Sequence, residues 1–382
     1  MVDTVTLPRV DAPIADVAIT DEKVLVATQW QLTWWRFRKH KVAMVAGVVV
    51  ITLYLVVIFA DFLSYSNPQD TLAQRSLIRP QPIHWFHNGT FGPYVNGLTG
   101  KRDLKTFQLV YTVDPTKQVP LRLFAHGFPY RFLGVIPTDR HLLGVEGTTA
   151  EQTIFLLGTD VQGRDVFSRI VYGTRTSLTI GLVGVSLSLL LGIVFGGISG
   201  YFGGISDMII QRVIEILRSI PTIPLWMGLA AALPRSWSVI QVYFAITFII
   251  SFIGWTELAR VVRGRFLSLR EEDFVMAADL MGCSRARIIF IHMVPSFMSH
   301  IIAATTLALP AMIISETSLS FLGLGLRPPA LSWGVLLQDA QSVQAVALTP
   351  WLLTPAIPVI IAVLAFNFLG DGIRDAADPY GS

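Results

Sequence analysis

The stretch from Val42 to Phe62 reads VAMVAGVVVITLYLVVIFADF and carries its one charged residue, Asp61, at the far end. A helix that crosses a bilayer needs about 20 mostly apolar residues, because lipid offers no partners to backbone amides. This stretch is therefore predicted to be a transmembrane helix. Five later stretches have the same character: Ser177–Gly197, Val213–Leu233, Val239–Trp255, Ile291–Ile314 and Leu352–Gly370. Together they predict an all-α integral membrane protein with six transmembrane helices.

The third of these spans is the least regular. Glu215 and Arg218 lie near its start, and Pro221 and Pro224 interrupt it. Prolines are tolerated within spans where neighbouring helices satisfy the freed backbone groups. We therefore expect one interrupted span whose apolar part begins after Arg218.

The composition agrees with lipid as the solvent. Of 382 residues, 14% are charged and 52% are hydrophobic, whereas ordinary soluble domains carry roughly a quarter charged residues. The formal net charge of +3 gives no reason to expect a nucleic-acid partner. The single cysteine, Cys283, excludes an intrachain disulfide, and no cluster of Cys and His has metal-ligand spacing. Residues 1–33 lack the apolar stretch of a signal peptide.

Basic residues predict the orientation of the chain. The run RFRKHK at 36–41 stands just before the first span, beside Trp34 and Trp35. Lys and Arg near span ends stay in the cytoplasm, and tryptophans favour the interface. We therefore expect both termini in the cytoplasm and a loop with Arg260, Arg263 and other arginines on the same side.

The segment 64–173 then falls on the outer side of the membrane. Within it, Thr106–Val113 and Val119–Ala125 alternate apolar and polar residues around a turn signal at Asp114-Pro115, which predicts a β-hairpin. We expect an extended extracytoplasmic insertion of mixed or β character between helices one and two. The division predicted is a cytoplasmic segment 1–41, a first span 42–63, an outer segment 64–173, a transmembrane domain 174–371 and a cytoplasmic tail 372–382.

The most informative segment is Leu269–Pro295, which reads LREEDFVMAADLMGCSRARIIFIHMVP. Its acids stand at the start of a short helix, where the helix dipole favours them, and Gly282 is placed to end it. An apolar stripe of Phe274, Ala278 and Met281 has no evident core of its own. Such a stripe favours either a groove on a partner protein or the membrane surface, and periodicity alone leaves both open.

This segment resembles the coupling-helix signature of bacterial importer permeases: Glu-Ala-Ala, three residues, Gly, nine residues, Ile-x-Leu-Pro. The residues at the signature positions are Met276, Ala277, Ala278, Gly282 and Pro295. Met276 replaces the Glu of the signature, and Glu272 lies one turn earlier on the same face, where it can substitute in part. The resemblance identifies residues 271–282 as a coupling helix that binds an ATPase subunit.

Other stretches resemble the oligopeptide/dipeptide/nickel family of ABC importer permeases, and its second permease subunit type in particular. The outer-face motif of that family is matched by Asp160, Gly163, Arg164 and Asp165. Further matches lie at 166–178, 200–207, 318–325, 332–334 and 367–379, so the resemblance covers residues 157–379 in order. The outer segment 64–150 is longer than expected of the family.

The resemblance implies a type I ABC importer permease fold in the bacterial inner membrane. It also implies a second permease subunit, two ATPase subunits and an extracytoplasmic substrate-binding protein as partners. ATP and Mg would be held by the ATPases, since no stretch of this chain matches a phosphate-binding loop. The chain itself would be no enzyme and would bind no cofactor or metal. The expected cargo is peptides or similar small solutes, with an oligosaccharide, an opine or a nickel chelate as alternatives.

Two further sets of residues are candidates for roles inside the membrane. Gly192, Gly196 and Gly200 lie four apart on one face of the second span, a spacing that lets helices approach closely in lipid. Glu316 lies near the outer end of the fifth span, and an acid in a span is a functional candidate by default. For Glu316 we expect a structural role, in which it pairs at the interface and holds the outer loop, rather than a direct role in transport.

Two rival functions differ from an ABC permease. A stand-alone secondary transporter needs an ion or proton site near the bilayer midplane, and the spans hold few central ionisable groups. A membrane enzyme needs a nucleophile and base or a metal motif, and no such constellation stands in the sequence.

Overall fold

The structure is a computed structural model that describes residues 29–87, 90–102, 109–145, 152–234 and 236–377. Residues 1–28 of the predicted cytoplasmic segment, 106–108 of the predicted hairpin and 378–382 of the predicted tail lie outside the described residues. The helices are, in chain order, α1 Gln29–Lys39, α2 Lys41–Ile58, α3 Ala60–Leu63, α4 Val166–Phe202, α5 Gly204–Ser219, α6 Thr222–Ala231, α7 Val239–Leu269, α8 Asp273–Leu280, α9 Arg285–Arg287, α10 Val294–Ser296, α11 Met298–Phe321, α12 Trp333–Gln338, α13 Val343–Leu348 and α14 Ala356–Ala377. The strands are β1 His84–His87, β2 Thr90–Arg102, β3 Leu109–Phe132 and β4 Ile136–Val145.

Five helical segments of the described chain are long and apolar enough to cross a membrane: α2, α4, α7, α11 and Pro350–Ala377, which contains α14. The pair of α5 and α6 passes the same test together but is bent by 86°, so the structure has up to six spans. The bend falls at Ile220, whose extended backbone (ψ 129) precedes Pro221. A residue before proline is driven out of the helical region. The predicted span Val213–Leu233 is therefore two helices and not one.

Four other predicted spans have different bounds in the structure. The second, predicted at Ser177–Gly197, lies within the longer helix α4, Val166–Phe202. The fourth predicted span, α7, continues past Trp255 to Leu269, because Leu258, Ala259 and Val262 keep a helical spacing and are buried. Arg260, Arg263 and Arg265 consequently lie on α7 and not in a loop, which corrects the sequence interpretation. The last helix, predicted at Leu352–Gly370, begins at Ala356 and runs to Ala377.

The fifth span begins at Met298 and not at Ile291. Residues Ile288–Met293 form a π-helical segment, in which the backbone N–H of Val294 donates to the Ile289 carbonyl. Pro295 follows directly and has no N–H to continue a regular ladder. The helix is interrupted at Phe297, and α11 then runs from Met298 to Phe321.

The outer segment contains one antiparallel sheet with the order β1-β2-β3-β4. The predicted hairpin at Asp114-Pro115 is wrong, because β3 continues through this point. Asp114 and Gln118 pair with β2 opposite the neighbouring residues Gly97 and Asn96, so residues 115–117 bulge out without reversing the chain. The second half of β3 pairs with β4, from Leu121 opposite Val145 to Phe132 opposite Ile136.

The main apolar core lies where α2, α4, α11 and α14 meet, and includes Leu178, Ile313, Trp333 and Phe366. The helices α4 and α7 pack closely against each other. Carbon atoms added at Gly192 and Gly200 would come within 2.7 Å of Leu258 Cβ and 2.6 Å of Phe266 Cβ. The three glycines at four-residue spacing therefore form a seam against α7.

Replacing Gly196 with Leu should lower the thermal stability of the protein and its yield as an intact complex. An added Cβ alone would lie 2.5 Å from the Ala259 carbonyl oxygen, so the helices must separate. Overpacking of this kind costs about 1–3 kcal/mol. Thermal unfolding in detergent measures the effect. Gly264→Leu on α7 is the control, since its Cβ position is open, and equal midpoints for the two variants would contradict the packing role.

Candidate functional site

The short helix α8 is defined by its ends. Glu272 is its N-cap and Asp273 its first residue, so carboxylates stand at the positive end of the helix dipole. At the other end Gly282 has φ +75, a backbone conformation that only glycine adopts without strain. The Cys283 N–H donates to the Ala278 carbonyl and the Gly282 N–H to that of Asp279, at 3.1 and 2.9 Å. These are the two hydrogen bonds of a Schellman motif.

One face of α8 is buried within this chain. Val275 and Ala278, three residues apart, are 3% and 2% exposed. They pack in a cluster with Phe266 of α7 and with Ile288 and Met293 of the π-helical segment. The expectation that Ala278 belongs to an unpartnered stripe is therefore wrong. The π-helical segment turns back under α8 and supplies the core that was not evident from the sequence.

The rest of α8 is exposed and mostly apolar, with Asp273 and Asp279 as its exposed charged residues. Phe274 and Met276 are 40% and 47% exposed, and Leu280 and Met281 are 89% and 76% exposed. Ala277 lies on the same exposed side. A helix with one buried and one exposed apolar face is fixed on its own chain and offers the other face to a second surface.

The remaining positions of the coupling signature lie close to α8. Glu272 is exposed at the N-cap and its side chain makes no capping bond. Ser284 accepts a hydrogen bond from the Arg287 N–H and caps the next turn. Pro295 is exposed and stands at the break between the π-helical segment and α11. The signature therefore brackets a helix and the two turns that hold it.

An ion pair that the sequence interpretation missed holds the base of this site. The guanidinium of Arg263 binds Asp207 in a bidentate manner, with Nε–Oδ1 and Nη2–Oδ2 distances of 2.6 Å. The Ser199 hydroxyl donates to the same carboxylate. Bidentate pairs fix geometry as well as charge. This clamp ties the end of α4 and the start of α5 to α7, the helix that carries α8. Asp207 lies in the stretch 200–207 that resembles the permease family, but no sequence spacing predicts that it pairs with Arg263.

The outer-face motif forms a buried network on the far side of the spans. Asp160 accepts from Arg164 Nε at 2.6 Å and from Arg169 Nη1 at 2.8 Å, and all three residues are buried. Gly163 has φ +77, and a Cβ there would lie 2.0 Å from the Leu72 carbonyl oxygen. The network orients the start of α4 and lets the chain at residue 72 cross over it. Because its charges are buried, the motif offers little surface to a partner.

Asp165 has a separate role at this corner. Its carboxylate caps α4 by accepting from the Ser168 N–H at 2.7 Å, and it accepts from the Tyr65 hydroxyl at 2.8 Å. Burial raises the pKa of Asp165 to about 6, and the hydrogen bonds from Ser168 and Tyr65 act in the opposite direction. The desolvation of a charged carboxylate thus outweighs its hydrogen bonds.

Glu316 is completely buried within the chain. It accepts from Ser177 Oγ on α4 at 3.1 Å and from Ser320 Oγ at 2.8 Å. Ser177 in turn accepts from the Trp333 N–H of α12. Glu316 therefore connects α4, α11 and α12, and this geometry agrees with the structural role. No group of three or more metal-binding side chains occurs in the described part of the chain.

Two family models match the sequence. The model described as the binding-protein-dependent transport system inner membrane component matches residues 192–380. The model described as the N-terminal TM domain of oligopeptide transport permease C matches residues 28–80.

Two permeases are among the proteins similar in sequence to this chain. The oligopeptide transport system permease protein OppC of Haemophilus influenzae is 40% identical over 243 residues, which are 63% of this chain and 75% of the relative. The dipeptide transport system permease protein DppC of Alkalihalophilus pseudofirmus is 30% identical over 360 residues, 94% of this chain and 92% of the relative. A solved structure of the methionine ABC transporter MetNI, in an inward-facing conformation, is 18% identical and covers 56% of this chain and 97% of its own, with a TM-score of 0.45.

The two faces of α8 predict opposite effects for one type of substitution. Ala278→Asp buries an unpaired carboxylate in the chain's own core, so the protein should unfold at lower temperature and accumulate poorly. Leu280→Asp places the same group in solvent and should leave the unfolding midpoint of the isolated chain unchanged. Unfolding of both variants in detergent tests this. Equal midpoints would show that the packing of α8 differs from that described.

Asp165 predicts a component of the pH dependence of stability. Well below about pH 4 the carboxyl is neutral in both states. As the pH rises towards 6, the unfolded state loses its proton first, so Asp165 lowers the stability of the folded state by up to about 3 kcal/mol. Asp165→Asn retains a capping oxygen and cannot ionise. Its stability relative to the wild type should therefore be higher at about pH 7 than at about pH 4, and parallel unfolding curves across this range would contradict the assignment.

Proposed function

This chain belongs to the family of binding-protein-dependent transport system inner membrane components, as an importer permease of the oligopeptide and dipeptide type, and from this premise we propose how it works. It forms, with a second permease subunit, the translocation path for peptides that a binding protein delivers. The carrying observation is the exposed apolar face of α8, held rigidly on α7. As a permease the chain is not an enzyme.

The helix α8 is the coupling helix of this proposal. Leu280 and Met281 enter a groove on an ATPase subunit, while Val275 and Ala278 keep α8 fixed to its own chain. A rigid connection is required, because a movement of the ATPase changes the spans only if α8 and α7 move together. The clamp between Arg263 and Asp207 extends this rigid body to α4 and α5.

Coupling requires the ATPases to prefer one arrangement of α8 over another. ATP binding then shifts the spans between outward- and inward-facing states in proportion to that differential affinity. ATP and Mg belong to two partner ATPase subunits. This chain binds no cofactor in the proposal.

A cavity of about 380 Å³ lies at the bend between α5 and α6, and supports a place for the translocation path. Arg218 and Glu257 line it and form an ion pair, and Ser315 lines it from α11. The buried indole N–H of Trp226, also in the lining, has no acceptor among the described residues. A zwitterionic peptide carries both charges and several acceptors, so these groups suit it.

The proposed topology follows from the charge pattern. The permease has the type I importer fold with six spans, in which the bent pair of α5 and α6 counts as one. Both termini and the segment 271–282 face the cytoplasm, and residues 64–173 with their sheet face the outside of the bacterial inner membrane. The domain division is that predicted from the sequence, with the first span at 42–63 and the transmembrane domain at 174–371.

The names of the relatives favour peptides, and oligosaccharides, opines and nickel chelates are the alternatives. The binding protein makes most of the selection, so identification of the ligand that copurifies with it would decide among them. A stand-alone secondary transporter would instead use an ion site within the spans. Glu316, the one acid of a described span that is fully buried, is occupied in hydrogen bonds inside the chain.

Leu280→Asp should abolish binding of the ATPase subunits and transport while the permease reaches the membrane in normal amounts. A carboxylate buried in the partner's groove costs about 3 kcal/mol or more, which weakens binding at least about a hundredfold. Leu280→Met is the matched control, since it keeps the apolar surface. Copurification of the ATPases with each variant is the measurement. ATPase binding and substrate uptake at wild-type levels in Leu280→Asp would overturn the coupling role and favour a helix that lies on the membrane surface.

A further inference from the structure

The turn between β3 and β4 is unusual in its composition. Phe132 and Ile136 close the hairpin, and Leu133, Gly134 and Val135 form its turn. Leu133 and Gly134 both have positive φ, at 52° and 75°. Turns with such conformations are normally built from Gly, Asn and Asp. Here two of the three turn residues are aliphatic. Residues 133–136 are called the hairpin tip below.

The side chains of the hairpin tip point into open space. Leu133 is 61% exposed, Val135 78% and Ile136 57%. Three large aliphatic side chains on a four-residue turn are therefore left uncovered by this chain. Isolated exposed apolar residues need no explanation, but a cluster of them marks a contact surface.

The position of the hairpin tip relative to the spans is fixed by an aromatic contact. The ring of Phe132 lies 5.5 Å from the ring of Phe59, measured between centroids. Phe59 directly follows Ile58, the last residue of the apolar span α2. Close by, Asp61 pairs with Arg175 at 2.9 Å, and such charges mark where the lipid core ends. The hairpin tip thus lies at the level of the membrane boundary.

The hairpin tip also continues the outer surface of α2. Ile51, Leu55 and Phe59 follow one another at four-residue spacing along one stripe of this helix and its C-cap, and all three are exposed. In a span this long and this apolar, an exposed stripe faces lipid. Phe59 ends the stripe, and Phe132 and the hairpin tip extend it sideways along the membrane boundary.

Arg131 lies two residues before the hairpin tip, and Arg140 lies four residues beyond it on β4. Arg131 and Arg140 are exposed, and Arg140 Nη1 donates to the Phe124 carbonyl at 2.9 Å. Guanidinium groups above an apolar surface suit the phosphate level of a bilayer, where long basic side chains reach the headgroups.

We propose that the hairpin tip inserts into the leaflet beside Phe59, so that Leu133, Val135 and Ile136 lie at the boundary between headgroups and acyl chains. The sheet is then held at two points, by its contacts with α3 and by lipid. This inference requires that α2 crosses the membrane, and it does not depend on how the ATPases are coupled.

Lipid fits the hairpin tip better than a protein partner does. A stable protein interface buries about 800 Å² on each side, and a turn of four residues presents only a small part of that area. Insertion of a few apolar side chains into an interface needs no matching surface, because the acyl chains adapt to them.

The test uses the full transporter complex in nanodiscs of phosphatidylethanolamine and phosphatidylglycerol. Cys283→Ser removes the chain's single cysteine, and Val135→Cys then carries an environment-sensitive fluorophore. Gln118→Cys, at an exposed position within β3 and 17 residues before Val135, is the matched control. Emission is measured with lipids that carry a nitroxide near the headgroup, and separately with iodide in the aqueous phase.

Insertion predicts that the probe at 135 loses most of its emission to nitroxide lipids and is protected from iodide, whereas the probe at 118 behaves in the opposite way. Equal quenching by iodide at both positions would overturn the proposal in favour of a hairpin tip in water. Protection of position 135 from both quenchers would overturn it in favour of a protein partner.

Discussion

The close approach of α4 and α7 is the contact on which the rest of the molecule depends. It is possible only because Gly192, Gly196 and Gly200 present no side chains to the facing helix. In lipid there is no hydrophobic driving force between helices, so close packing of this kind must hold them together. The helix α7 continues beyond the seam to Leu269, and α8 packs against Phe266 near the end of α7. The clamp of Asp207 and Arg263 joins the same two helices where the seam stops. The glycine seam and the clamp therefore connect α8, through α7, to α4.

Most of the membrane architecture could be predicted from the sequence, because lipid restricts the backbone so strongly. Runs of about 20 apolar residues located the first, second and last spans. The first was placed within four residues at each end, whereas the second helix begins 11 residues before the predicted Ser177. The predicted span bounds departed from the observed ones where charged and polar residues became more frequent. Arg260 and Arg263 were assigned to a loop, yet the apolar residues between them keep α7 helical. At Ile220, which precedes Pro221, the helices α5 and α6 are bent by 86°, and no apolar pattern records such a bend.

The candidate site was predictable in position and only partly in orientation. Gly282 marked the end of α8 correctly, because a positive φ at a helix end leaves few alternatives to glycine. Which face of α8 is buried could not be deduced from the sequence, because Ala278 and Leu280 are both apolar. The segment that covers Ala278 is π-helical, and its residues do not follow the regular α-helical spacing. The pairs of Asp160 with Arg169 and of Asp207 with Arg263 were likewise hidden, because ion pairs between helices have no fixed sequence spacing. The bulge in β3 was read as a turn because Asp-Pro is a turn signal in most contexts.

The central claim is that the exposed face of α8 binds an ATPase subunit, and a photo-crosslink from position 280 tests it most directly. A benzophenone amino acid in place of Leu280, in membranes that contain the complete transporter, reacts with whatever lies against that face. The account predicts a crosslinked product of this permease with an ATPase subunit, identified by mass spectrometry, whose yield changes when ATP is bound. Crosslinking to lipid alone, or no product at all, would contradict it.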